Sequence, residues 1–203
     1  MKERIMIFCD SYLPSYVSGG GMWTLVNLVE RFADRYDFYI VTRNFDLKGD
    51  KKPYQSVRTN EWNKVNKAKV FYFSKWDLTE RKFVQLISDV RPQAIFLNSS
   101  LATPTIRLLS ARRKGLTGDL PVILAPCGEM TSGSLSVKPF KKKLFLTYAK
   151  IAELYRGVIW KASSEIEGKE IRSVFGDDIE VLIAPDLAPR TILPVTVPKK
   201  AVM

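Results

Sequence analysis

Three consecutive glycines, Gly19 to Gly21, stand at the head of a stretch with helical apolar period in DSYLPSYVSGGGMWTLVNLVERF, residues 10–32. Glycine has no Cβ to hold a ligand off, and the first N–H groups of a helix have no partner within it. Gly20 and Gly21 therefore read as a site for phosphate. Ser18 is placed to cap the same helix. Two familiar phosphate loops do not fit. A dinucleotide fingerprint needs Gly-x-Gly-x-x-Gly directly after the first strand, whereas here the strand ends near Asp10 and a loop with Pro14 intervenes. The Gly-Lys-Ser/Thr of a P-loop is also missing. A glycine turn that only lets the helix pack closely on a sheet is the alternative.

A second group lies in VILAPCGEMTSGSLSVKPFKKKLFL, residues 122–146. Cys127, Gly128 and Glu129 open a loop at the carboxyl end of an expected central strand, where open α/β sheets bind their ligands. Glu129 could orient a hydroxyl or stabilise developing positive charge, and Thr131, Ser132 and Ser134 supply hydroxyls. A capped turn with Glu129 in solvent is the simpler alternative. Asn98 and Ser99, after the apolar run at 94–97, and Ser163, opening KASSEIEGKEIRSVFG, complete the expected lining of a cleft. In that last stretch Glu165 and Glu167 suit the first turn of a helix, where the dipole favours acids.

Lys138, Lys141, Lys142, Lys143 and Lys150 concentrate five cations along one helix, interleaved with Phe140, Leu144, Phe145, Leu146 and Tyr148. Such a membrane or anion patch suits an anionic lipid surface. A core helix whose other face is solvated lysine is the alternative.

The elements that must position these groups follow from the alternation of apolar runs with amphipathic stretches. Strands are expected at 5–9, 38–42, 70–73, 94–97, 122–125, 158–160 and 179–183, and helices at 20–35, 78–90, 102–114, 136–156 and 164–175. Most strand runs are apolar throughout, as in strands covered on both faces. The expected fold is α/β, a Rossmann-like parallel sheet with helices on both faces. Residues 44–68 are polar, charged and nearly strandless, either a functional loop or a surface excursion. Residues 1–184 read as the folded domain and the Pro-rich 185–203 as an interdomain linker or tail, so that the 203 residues read as the first half of a larger protein.

Hydrophobic residues at 46% and charged residues at 26% are ordinary for a soluble globular chain, and no apolar run reaches the length of a membrane span. The start reads as a first strand in a cytoplasmic protein rather than a signal segment. Two cysteines, Cys9 and Cys127, give no disulfide framework, and the lack of any histidine removes a Ser-His-Asp triad and a histidine zinc site. No metal or cofactor is expected. The net charge of +11 asks for an anionic partner: nucleic acid, anionic lipid or a phosphorylated small molecule.

Taken together, the strand, the Pro-containing loop, the GG pair opening a helix, LAPCGEMTSGSLSVKPFKKKLFL and WKASSEIEGKEI resemble the N-terminal domain of the GT-B retaining glycosyltransferases of group 1, family four. Gly128, Glu129, Gly133, Leu135, Lys138, Lys141 and Lys142 match a block R-G-E-L-x-x-G-A-L-x-x-K-x-x-K-K found in a subset of that family. Ala162, Ser164 and Glu167 align loosely with H-A-T-S-x-x-E. The likeness spans about residues 3–187. Cys127 stands where the subset has arginine, and Lys161 where it often has histidine.

The resemblance implies transfer of a sugar from a nucleotide-sugar donor to a glycan or lipid-linked acceptor with retention, as in polysaccharide biosynthesis. Gly20 and Gly21 would approach the donor's phosphates and sugar, and the 126–134 loop would line the same cleft. It assigns no catalytic residue and no metal. The donor would be held mainly by a C-terminal nucleotide-binding domain with an E-x7-E motif, which these residues lack, so the chain alone is expected to be inactive. The lysine helix would then place the protein at the inner face of the membrane. The competing reading is a stand-alone Rossmann-like binding module for anionic ligands, a lipid surface or, less in keeping with the pattern, nucleic acid. The coding sequence beyond Met203 separates the two readings.

Overall fold

A computed structural model of the chain describes residues 2–47, 51–137 and 139–190. Lys138 of the lysine patch and residues 191–203 of the tail lie outside the described residues.

The elements are β1 (Glu3–Phe8), α1 (Gly20–Phe32), β2 (Tyr36–Arg43), β3 (Trp62–Val65), β4 (Ala68–Phe73), α2 (Glu80–Val90), β5 (Ala94–Asn98), α3 (Thr103–Arg113), β6 (Val122–Ala125), α4 (Ser132–Ser136), α5 (Pro139–Ile151), β7 (Ile159–Ala162), α6 (Glu165–Phe175) and β8 (Val181–Ile183). They form one sheet of order β3-β4-β2-β1-β5-β6-β7-β8. Every pairing is parallel except β3 with β4. This is the expected α/β Rossmann-like architecture. Chain order reverses between β1 and β5, and in open α/β sheets ligands bind at that switch point, beyond the carboxyl ends of the strands.

Alternate residues of each strand face opposite layers. Ile95, Leu97, Leu124 and Trp160 join Phe83, Leu108, Leu146 and Ile171 in a core beneath α2, α3, α5 and α6. On the other face Ile7, Ile40, Val70 and Tyr72 pack with Leu25 and Val29 of α1. The two faces are unequally covered. Beyond α1, Phe96, Ile123 and Leu182 floor an apolar groove of about 660 Å³ that Pro185 and Leu187 also line. Residues after β8 run back across this edge: Asn27 Nδ2 donates to the Leu187 carbonyl at 2.7 Å, and Arg31 to the Ala188 carbonyl at 3.0 Å.

Two expectations are corrected. The 44–68 stretch is not strandless, because Trp62–Val65 pairs antiparallel with β4 across a turn at Asn66, whose φ of 50° suits asparagine. The expected helix 136–156 is two helices. Pro139 offers no N–H and disfavours helical backbone at the residue before it, so α4 ends at Ser136, Val137 is extended, and α5 starts afresh at Pro139. The 44–68 stretch and the neighbouring strand β4 both bond to the loop that precedes α1. Asp46 accepts from Ser15 Oγ at 2.5 Å and from Tyr54 OH at 2.8 Å, and Tyr72 OH donates to the Leu13 carbonyl beside the cis Leu13–Pro14 bond.

Candidate functional site

A cleft of about 580 Å³ opens at the carboxyl edge of the sheet, over the switch point. Gly20, Gly21 and Thr24 of α1 form one wall. Cys127, Gly128 and Thr131 after β6 form the second, and Ser163, Ser164 and Glu167 at the head of α6 the third.

The first turn of α1 leaves donors without partners. Ser18 does not cap the helix as expected; its hydroxyl pairs with Ser15 Oγ at 2.9 Å. The cap residue is Gly19, with no side-chain hydrogen bond, and Met22 N donates to the Gly19 carbonyl at 3.2 Å. Among the described residues the N–H groups of Gly20 and Gly21 have no acceptor. Such unpaired donors carry the positive end of the helix dipole. A Cβ built on Gly20 meets nothing within 4 Å, so packing does not require glycine there. At Gly21 a Cβ would stand 3.4 Å from Cys127 Sγ and 3.5 Å from Asn98 Nδ2, an ordinary contact with little room for more.

Asn98 ties this wall to the second. Its Nδ2 donates to the Gly21 carbonyl at 3.4 Å, and its Oδ1 accepts from Cys127 Sγ at 3.1 Å. Although Cys127 is exposed as a residue, its sulfur turns inward on Asn98 and Gly21; burial, with the Glu129 charge behind it, pushes the thiol up to about 12. A thiol so displaced stays protonated at neutral pH and is a poor nucleophile. Cys127 and Gly128 both have positive φ, 54° and 77°, which turns the chain sharply at the strand end. Only at Gly128 is that conformation free of a Cβ penalty.

The two carboxylates of this region are structural clamps. Glu129 accepts from Ser99 Oγ at 2.5 Å, Ser100 N and Oγ at 2.6 Å, and Leu101 N at 3.0 Å. Ser99 and Glu129 do not line the cleft; they bind each other at the root of the β5–α3 loop. Glu129 therefore orients hydroxyls, as expected, but they are the protein's own. Glu167, only 7% exposed, accepts from Gly128 N at 2.8 Å and from Ser163 N and Oγ at 2.6 Å. It joins the second and third walls. Burial pushes its carboxyl up, but the hydrogen bonds from Ser163 and Gly128 and the nearby Lys161 charge outweigh that and hold it below the usual glutamate range.

Lys161 was not among the expected cleft residues, yet among the described residues it is the one cation lining the cleft, where it pairs with Asp186. Its signal was a lysine inside an otherwise apolar strand run, IWKA. Of the lysine patch, Lys142 half-buries itself, donating to Ser134 O at 2.6 Å and Ser134 Oγ at 3.1 Å. Lys141, Lys143 and Lys150 are exposed.

No family model matches the chain, and no curated protein matches it. Solved structures do. HepE of Anabaena in complex with UDP-glucose superposes with a TM-score of 0.54 at 14% identity, covering 90% of this chain and 43% of HepE. HepE with UDP and glucose gives 0.54 at 12% identity, and HepE with UDP gives 0.50 at 14%. At these identities the likeness is one of fold. The chain spans less than half the length of these neighbours.

Proposed function

We propose that the cleft is the N-terminal half of a nucleotide-sugar site, in a glycosyltransferase of the GT-B retaining group 1, family four type that moves a sugar from a nucleotide diphosphate donor to a glycan or lipid-linked acceptor hydroxyl. The observation that carries this reading is the pair of unpaired N–H groups at Gly20 and Gly21, two residues that line the cleft. The fold shared with a protein solved with UDP-glucose supports the choice of ligand.

In such a transfer the bond from the sugar's anomeric carbon to the diphosphate breaks, a bond to the acceptor oxygen forms, and the acceptor proton leaves. The leaving diphosphate gathers negative charge. Preorganised N–H donors and a helix dipole stabilise that charge at no cost in reorganisation, and Lys161, held by Asp186, lies in the same lining. The donor is a substrate, and the reading assigns no metal, no cofactor and no catalytic residue. The remaining donor contacts are assigned to a C-terminal nucleotide-binding domain, so the 203-residue chain binds donor weakly and turns none over.

Gly20 gives a test in which folding and binding separate. Because a Cβ there meets open space, Gly20→Ala is expected to leave stability unchanged or raise it by up to about 1 kcal/mol. Gly20→Val, which adds bulk at a residue lining the cleft, is expected to weaken UDP-glucose binding by roughly tenfold, the cost of about 1.4 kcal/mol. Calorimetric titration of a Gly20→Val variant that keeps its parent's melting midpoint would count against the reading if it showed undiminished affinity.

A further inference from the structure

The outward face of α5 is apolar, which is the reverse of what a surface helix of a packed domain shows. Phe140 and Ile151 are each 79% exposed, and Leu144 and Tyr148 each 61%. Their spacings of four, four and three place them on one stripe. The inward face is already used, since Leu146 and Ala149 are buried in the core and Phe145 packs against it. The stripe is thus a second apolar face with no partner among the described residues.

What flanks the stripe identifies its partner. At 100° per residue Lys143 and Lys150 fall along one edge and Lys141 along the other, all exposed. α5 contains no acid, and the first one after it, Glu153, is already paired with Arg113 at 3.1 Å and Arg156 at 3.0 Å. The other helices carry no such stripe among the described residues: α1 exposes the single apolar Trp23 and α6 the single Ile166, while α2 turns Arg81 to solvent. A central apolar stripe with cationic margins matches a bilayer interface, with Phe, Leu and Ile among the upper acyl chains, Tyr at the headgroups, and lysines reaching lipid phosphates. Nucleic acid would satisfy the lysines and leave Leu144 and Ile151 unused.

We infer that α5 docks the protein on an anionic lipid bilayer, lying along the surface with Phe140, Leu144, Tyr148 and Ile151 inserted and Lys141, Lys143 and Lys150 at the headgroups. Its 13 residues give a contact roughly 20 Å long. The inference stands on α5 alone and does not depend on the transferase reading. It also gives the exposed lysines a defined role and leaves Lys142, turned inward to Ser134, out of the contact.

Co-sedimentation of the 203-residue chain with phosphatidylglycerol–phosphatidylcholine vesicles, and with phosphatidylcholine vesicles alone, tests it. Binding is expected to the anionic vesicles only. Each of Lys141→Gln, Lys143→Gln and Lys150→Gln should weaken partitioning about fivefold, the factor for ~1 kcal/mol per charge near lipid. The double variant Leu144→Ser with Ile151→Ser should abolish binding at low salt while keeping the parent's melting midpoint, because both side chains are exposed. A Phe140→Trp variant should show a blue-shifted emission on anionic vesicles. Equal binding to both vesicle types overturns the inference, as does undiminished binding by the double variant. So does a dimer, seen by sedimentation equilibrium, that the same double variant dissolves while no vesicle binding occurs.

Discussion

Glu129→Ala is expected to destabilise the chain by about 3 kcal/mol, read from urea unfolding, one of the two largest losses we expect from a single side chain of this region. The carboxylate accepts four hydrogen bonds from Ser99, Ser100 and Leu101, all in the segment that joins β5 to α3. Removing it leaves those donors unpaired, and a half-buried donor without an acceptor costs about 1–3 kcal/mol. The loop it holds is demanding: Ser99 has a φ of 79°, a conformation that a non-glycine residue keeps only when its surroundings fix it. Glu129→Gln keeps one acceptor oxygen and should lose roughly half as much. An alanine variant within about 0.5 kcal/mol of the parent would show that the clamp carries no stability.

Glu167→Ala is expected to cost about 2–3 kcal/mol at pH 7 and to loosen the cleft, because the carboxylate joins Gly128 of one wall to Ser163 of another. Its dependence on pH has a definite sign. The folded-state value is depressed, so the stabilisation is present above the unfolded glutamate range near about 4.3 and is lost as pH falls through the lower folded value. The stability gap between the parent and Glu167→Gln should therefore be widest near neutral pH and shrink on acidification below about pH 4. A gap that stays constant from pH 7 to pH 3 would show that Glu167 is not held as a carboxylate. The two clamps share no donor, yet Cys127 and Gly128 lie between them, so the double variant should lose more order at the cleft than either alone.

The sheet was legible because buried parallel strands write themselves as short apolar runs, and seven of the eight strands came from runs such as Ile5–Cys9 and Val122–Ala125. β3 was not, since an edge strand paired on one side keeps polar residues: Trp62 and Val65 are its apolar positions, Asn63 and Lys64 its polar ones. The break between α4 and α5 was written in Pro139 and outweighed by the helical period on either side of it. At the cleft, Gly20 and Gly21 were read from glycines opening a helix, Cys127, Gly128 and Ser163 from loops at the carboxyl ends of strands, and the structure brings them together with Asn98. The employment of Glu129 could not be read, because its partners lie 28 to 30 residues away and only the pairing of β5 with β6 brings them near. Lys161 was visible as a charge in a buried strand, and what it faces is set by the fold.

The measurement that bears most directly on the account is an amide-resolved NMR titration of the 203-residue chain with UDP-glucose, GDP-mannose and ADP-glucose, which share a diphosphate and differ in base. The unpaired N–H groups of Gly20 and Gly21 are the groups assigned to that diphosphate. With at least one of the three, the account predicts that the largest shifts fall on the amides of Gly20 and Gly21, accompanied by Cys127 and Gly128 across the cleft. Largest shifts elsewhere, or silent Gly20 and Gly21 amides with all three donors at millimolar concentration, would contradict it.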